Sequence, residues 1–338
     1  MRKLKMFAIS MCLATTLSAF AGCGSVTKPD NEAGTTKGSE TTASAASETT
    51  AAGGEILIGL SMNTLNNPFF VDVKEGVQKA ADDNGVTLIV TDAQNDSATQ
   101  VADVENLIQK KPAAIIIDPT DSDAIVAAIE ACNEAKIPVI TMDRQAAGGE
   151  VASHIGYNAI KSGTIAGTYL VDAFKDKETV NVVEIQGIMG TNVAQDRSKG
   201  FNDAIAAAPN FKKVATQAAE FDRATAMTVM ENILQANPKI DCVYAANDEM
   251  GLGAVEAISA AGRLDEITVI SCDAIDPALE KIRSGELEAT IAEPPFFLGK
   301  AGLQNALDVI NNKPVEKLIL LDNQLVTKEN VDTIKTRD

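Results

Sequence analysis

Asn63, Asn67, Phe69 and Phe70 follow the first β-branched run of this chain, and Asp118, Asp143, Arg144, Phe221, Asn247, Asp273 and Glu293 follow later ones. Placement at strand ends matters because ligands of open α/β sheets bind beyond the carboxyl ends of the strands. Carboxylates accept hydroxyl protons, amides donate and accept, arginine offers a rigid fork of donors, and phenyl faces stack on the apolar faces of a ring. No nucleophile stands beside a base among these residues. The set suits a neutral, polyhydroxylated small molecule held without covalent chemistry.

Blander roles compete at several positions. Asn66 and Asn67 precede Pro68, where asparagine also serves as turn residue and helix cap. Asp248, beside Asn247, reads as a helix cap rather than a ligand contact. The single histidine, His154, falls in the segment Val151 to Gly156, which reads as a passage between lobes and gives it a structural or hinge role. Pro119-Thr-Asp-Ser-Asp123 has acids enough to suggest a metal loop but more simply caps the next helix. No metal and no cofactor is expected.

The elements that position these groups alternate along the chain. Strand patterns at residues 56–60, 87–91, 114–117 and 139–142 are separated by helical patterns at 70–84, 99–110 and 122–135. After Tyr157 the rhythm restarts with a helix at 162–174. Strands at 179–185, 214–219, 242–245 and 268–270 then alternate with helices at 194–207, 225–236 and 249–260. Strands this apolar on both sides belong to parallel sheets covered by helices on both faces. The 284 residues from Glu55 onward exceed what one hydrophobic core usually organises. Two doubly wound α/β lobes follow.

Cys132, Cys242 and Cys272 are widely spaced and odd in number, so buried free thiols are expected in place of a disulfide or zinc site. The formal charge of −18 disfavours nucleic acid and anionic membrane surfaces as partners.

Seven runs carry a family resemblance across residues 55–338: Thr64-Leu-Asn-Asn-Pro-Phe-Phe70, Asp118-Pro-Thr-Asp-Ser-Asp-Ala124, Ile137-Pro-Val-Ile-Thr-Met-Asp-Arg-Gln145, Gln186-Gly-Ile-Met-Gly-Thr191, Phe221-Asp-Arg223, Asn247-Asp-Glu-Met250 and Ala289-Thr-Ile-Ala292. In them the chain resembles the ribose-binding branch of the type I periplasmic binding protein family. The resemblance implies two Rossmann-like lobes joined by three hinge crossovers, residues 55–157 plus 294–322 and residues 158–293 plus 323–338. It also implies that Asn67, Asp143, Arg144, Arg197, Asn247 and Asp273 hydrogen-bond a sugar, with Phe69, Phe70 and Phe221 sandwiching its ring. Arg197 lies in Asp196-Arg-Ser-Lys-Gly-Phe201, which matches the family's arginine before Gly-Phe.

Three candidate ligand residues depart from the ribose pattern: Asn63, Asp118 and Glu293 stand where that branch has Ser, Asn and Gln. A carboxylate only accepts where an amide also donates. Ribose or a related pentose is the expected ligand, with a hexose such as allose or a polyol as the alternative. The resemblance further implies an ABC permease as partner, a chemoreceptor as a second candidate partner, a monomeric chain and no enzymatic activity. A repressor core is disfavoured, because no basic helix-turn-helix precedes Glu55.

The front of the chain gives an address. Arg2, Lys3 and Lys5 precede an apolar stretch, Met6 to Phe20, too short to span a membrane, and Leu-Ser-Ala-Phe-Ala-Gly-Cys23 resembles the lipobox of bacterial lipoproteins. Residues 1–22 read as a signal peptide and Cys23 as the lipidation site, which implies an extracytoplasmic, lipid-anchored location. Removing the signal takes away three positive charges and no negative ones, from −18 to −21. Residues 24–54, almost free of large aliphatic side chains, read as a disordered linker of roughly 30 Å reach. Cys23→Ala is expected to move the protein from the membrane fraction to the soluble fraction while leaving sugar binding unchanged. Membrane retention of that variant would refute lipidation at Cys23.

Overall fold

The computed structural model describes residues 56–337, so the expected signal peptide, Cys23 and linker lie outside the described residues. The chain opens with β1 (Ile56–Met62), α1 (Pro68–Asn84), β2 (Val86–Asp92), α2 (Ser97–Gln109), β3 (Ala114–Ile117), α3 (Val126–Glu134), β4 (Val139–Met142) and β5 (Ser153–Tyr157). It continues through α4 (Ala159–Ala173), β6 (Val180–Gln186), α5 (Asn192–Ala206), β7 (Phe211–Ala218), α6 (Arg223–Ala236) and β8 (Cys242–Ala245). Next come α7 (Asp248–Ala260), β9 (Thr268–Asp273), α8 (Asp276–Ser284) and β10 (Ala289–Ala292), and then α9 (Pro295–Ile310), β11 (Leu318–Leu321) and β12 (Gln324–Thr327).

The strands form two sheets, in the orders β11-β5-β4-β3-β1-β2 and β12-β10-β9-β8-β6-β7. Apart from the last-made strand at one edge, the two orders are the same. Pairing is parallel throughout except for β12, which runs antiparallel to β10. Central strands β3 (Ala-Ile-Ile-Ile) and β8 (Cys-Val-Tyr-Ala) are buried at every position, as strands covered on both faces must be. Cys132, Cys242 and Cys272 are buried, free thiols.

The chain passes between the lobes three times: after β5, after β10 and between β11 and β12. The segment Val151 to Gly156, expected to be the first passage, instead supplies β5, inside the first sheet. Neighbours on both sides hold it there: Ala152 N–H donates to Val139 O at 2.8 Å and His154 N–H to Lys317 O at 2.9 Å. The passage itself follows at Tyr157. His154 is neutral at physiological pH, since burial pushes its pKa down to about 4, and its Nδ1 lies 2.9 Å from Thr141 Oγ1. Helix α3 begins at Val126 instead of residue 122, because Asp121 Oδ1 accepts the N–H groups of Asp123 and Ala124 and holds a turn.

Helices α4 and α5 approach backbone to backbone. A Cβ on Gly163 would stand 2.0 Å from Arg197 O, and one on Gly200 would stand 2.0 Å from Ile160 O. This closeness sets the position of the helix that carries Arg197. Gly163→Ala is therefore expected to force the helices apart and lower the unfolding free energy by about 1–3 kcal/mol in denaturant titration. An unchanged midpoint would show that the contact yields without cost.

Candidate functional site

Both sheets present the carboxyl ends of their strands to a shared cleft, where a small cavity is lined by Asn67, Phe69, Phe70, Asp143, Arg144, Val193, Arg197, Phe221, Asn247 and Asp273. Five of these come from the first lobe and five from the second. The lobes also touch at the rim, where Ser122 N–H donates to Gly190 O at 3.1 Å and Gln145 N–H to Asn192 Oδ1 at 2.8 Å.

Two cavity asparagines serve two purposes each. Asn67 caps α1 by accepting from Phe69 N–H at 2.9 Å, with Pro68 at the first helical position, and Asn247 caps α7 by accepting from Met250 N–H at 3.0 Å. With their carbonyl oxygens committed, the amide N–H groups are what remains for a ligand. Asp248, expected as the cap of α7, is instead a buried tie between β9, β10 and the loop after β9. It accepts from Ser271 Oγ at 2.5 Å, Thr290 Oγ1 at 2.7 Å and Ile275 N–H at 2.9 Å.

Arg144 follows β4 and is 1% exposed. Its Nη1 donates to Pro119 O at 3.1 Å, and its guanidinium lies 5.2 Å from the Phe70 ring centre and 5.5 Å from that of Phe221. One ring belongs to each lobe, so the cation is clamped across the cleft. Phe69 meets Phe70 edge-on, with centroids 5.1 Å apart. Phe221 lies over Gly187, where a Cβ would come within 2.1 Å of the ring. Arg197, on α5, donates through Nη1 to Ala246 O at 2.7 Å and through Nη2 to Asp273 Oδ1 at 2.9 Å and Glu293 Oε2 at 2.5 Å. The Nε groups of both arginines make no hydrogen bond within the protein.

Nine of the twelve candidate ligand residues named from sequence thus line one cavity; Asn63, Asp118 and Glu293 do not. Glu293 stands behind Arg197. Asp118 is fully buried next to Asp143 and Arg144, and neither of its carboxyl oxygens makes a well-formed hydrogen bond within the protein. Asn63 is buried too; its Oδ1 accepts from Thr64 N–H at 2.5 Å and its Nδ2 is unpaired. Asn66 lines a neighbouring cleft chamber instead, with Thr64, Glu220 and Asp222. Val193, one residue into α5, was missed; its signal was its place after the Gln186–Thr191 strand-end run.

Burial dominates the electrostatics. It pushes Asp143 up to about 6, against the opposing pull of Arg144 and Arg197, and raises Asp273 above its ordinary value, with Arg197 opposing. Asp118 is raised above its ordinary value by burial and by the charge of Asp143. For Arg197 burial disfavours the charge, but Glu293 and Asp273 more than offset it and the cation is held firmly.

Comparison with known proteins agrees with this fold. The model of the periplasmic binding protein domain matches residues 58–314. The ribose import binding protein of Salmonella typhimurium is 43% identical over 272 residues, covering 80% of this chain and 90% of that one. A solute-binding protein of Actinobacillus succinogenes, solved with bound D-allose, superposes with a TM-score of 0.78 at 31% identity, covering 83% of this chain and 100% of the other. The Caulobacter myo-inositol binding protein, solved with myo-inositol, gives a TM-score of 0.79 at 33% identity, covering 83% and 96%.

The raised Asp143 has a consequence for stability. A carboxyl whose folded pKa lies above its unfolded value binds more protons when folded, so its contribution is present at low pH and is lost as pH rises through about 6. In the sugar-free protein, wild type is expected to gain more than about 1 kcal/mol relative to Asp143→Asn as pH falls from 7 to 4. Denaturant titrations across that range check this, and parallel curves would contradict it.

Proposed function

The chain belongs to the periplasmic binding protein family, and from that premise we propose that it is the extracytoplasmic sugar-binding component of an ABC importer. The observation that carries this is the cavity itself: donors from Asn67, Arg144, Arg197 and Asn247, acceptors from Asp143 and Asp273, and the rings of Phe69, Phe70 and Phe221, drawn from both lobes. A ligand touching both lobes binds the closed form better than the open one, and so shifts the population toward closure. The permease then reads the closed shape. Residues 55–157 with 294–322 move as one lobe and 158–293 with 323–338 as the other.

Ribose is the favoured sugar, supported by the Salmonella relative. Allose or a polyol is the second reading, supported by the ligands of the two solved neighbours and by Asp118 and Glu293 at positions where the ribose branch has amides. The protein binds and releases its sugar unchanged and acts as a monomer, tethered through a diacylglyceryl group on Cys23 and the linker 24–54. A chemoreceptor is a further candidate partner for the closed form. Among the described residues no helix is long and apolar enough to cross a membrane.

A thermal-shift series with ribose, D-allose, xylitol and myo-inositol tests the reading. At 100 times its dissociation constant the true ligand adds about 2.7 kcal/mol, and mass spectrometry should recover it unmodified. Arg144→Ala and Asp273→Ala are each expected to weaken binding by about 10- to 100-fold while circular dichroism stays native. Turnover of the sugar, or affinity within threefold of wild type in both variants, would refute the site.

A further inference from the structure

The second and third passages between the lobes, and the helix that follows the first, converge on one carboxylate. Glu293 stands on the second passage, just beyond β10, and is 1% exposed. Its Oε1 accepts from Ser162 Oγ, in the first turn of the helix that follows the first passage, and from Asn323 Nδ2, on the third passage, at 3.0 Å. Asn323 Nδ2 also lies 2.7 Å from Ser162 Oγ. Tyr157, the last residue before the first passage, donates its hydroxyl to Pro294 O at 2.9 Å. The other carboxylate oxygen, Oε2, accepts from Arg197 Nη2 at 2.5 Å. Glu293 is absent from the cavity wall, whereas Arg197 is part of it.

We propose that Glu293 is a positioning residue that couples the orientation of Arg197 to the conformation of the three passages, so that sugar contact at Arg197 and closure of the cleft are one event. This rests on the sugar-binding reading above. The physical basis is that a buried guanidinium deprived of one anionic partner is left under-compensated and reorients. The passages, tied to the same carboxylate, must follow. A residue that acts only through Arg197 loses its effect once Arg197 is replaced.

A double-mutant cycle tests for this dependence. Calorimetry with ribose, D-allose or myo-inositol, whichever wild type binds, is run on wild type, Glu293→Ala, Arg197→Gln and the double variant. Glu293→Ala alone is expected to weaken binding by about tenfold or more, and the double variant to bind within about twofold of Arg197→Gln. Small-angle scattering at saturating sugar is expected to give Glu293→Ala a larger radius of gyration than wild type. Additive losses, or wild-type closure in Glu293→Ala, would overturn the proposal. If Glu293→Ala does not fold, Asn323→Ala, which removes a donor to the same carboxylate, is expected to weaken binding severalfold in wild type but not in Arg197→Gln; wild-type affinity in Asn323→Ala would overturn the proposal equally. A wild-type protein that binds none of these sugars would overturn the sugar reading and this proposal with it, whereas additivity on a binding wild type overturns the coupling alone.

Discussion

A buried guanidinium must be compensated, and this molecule buries two that line the same cavity. Arg144 and Arg197 are almost without solvent contact, so each needs anions and carbonyl oxygens within reach. The strand ends provide them: Asp143 after β4, Asp273 at the end of β9 and Glu293 after β10, with the carbonyls of Pro119, Thr120 and Ala246 completing the set. Much else follows from that demand. Helix α5 must lie close enough to α4 and the second sheet to deliver Arg197, which explains why small residues occupy the helix contact.

The backbone carries the cost of aiming these groups. Asp143, Phe221 and Asp273 adopt φ values of 59°, 59° and 124°, a region that side chains other than glycine rarely enter. All three line the cavity. Strain of this kind persists where surrounding structure over-determines the conformation, and it marks sites whose side chains must point where a relaxed strand end would not send them.

The alternation of apolar strands with helical periods was legible, and so was the placement of polar and aromatic residues at strand ends, because both depend on local pattern. Eight of the nine cavity-lining candidates could be gathered this way without knowing how the lobes face each other; Arg197, on a helix, came from the family resemblance alone. Depth behind the wall was not legible. Asp118 and Glu293 occupy strand ends like their neighbours, yet Glu293 stands behind Arg197 and Asp118 is fully buried beside Asp143 and Arg144. Asp248 was taken for a cap because an acid at a helix start usually is one; only the folded chain brings Ser271 and Thr290 to it. The first passage was placed too early because β5 is short, contains histidine and glycine, and is fixed by strands far away in sequence.

The edge strands β11 and β12 have a bearing on how such a chain comes into being. Helix α9 and β11, made late, belong to the lobe begun first: α9 packs on α1, and β11 flanks β5. The first lobe therefore cannot close its core until nearly the whole polypeptide exists, and β12 completes the second sheet later still. A chain emerging from a ribosome or threading a membrane channel is thereby kept from finishing either lobe early, and remains pliable until its last segment arrives.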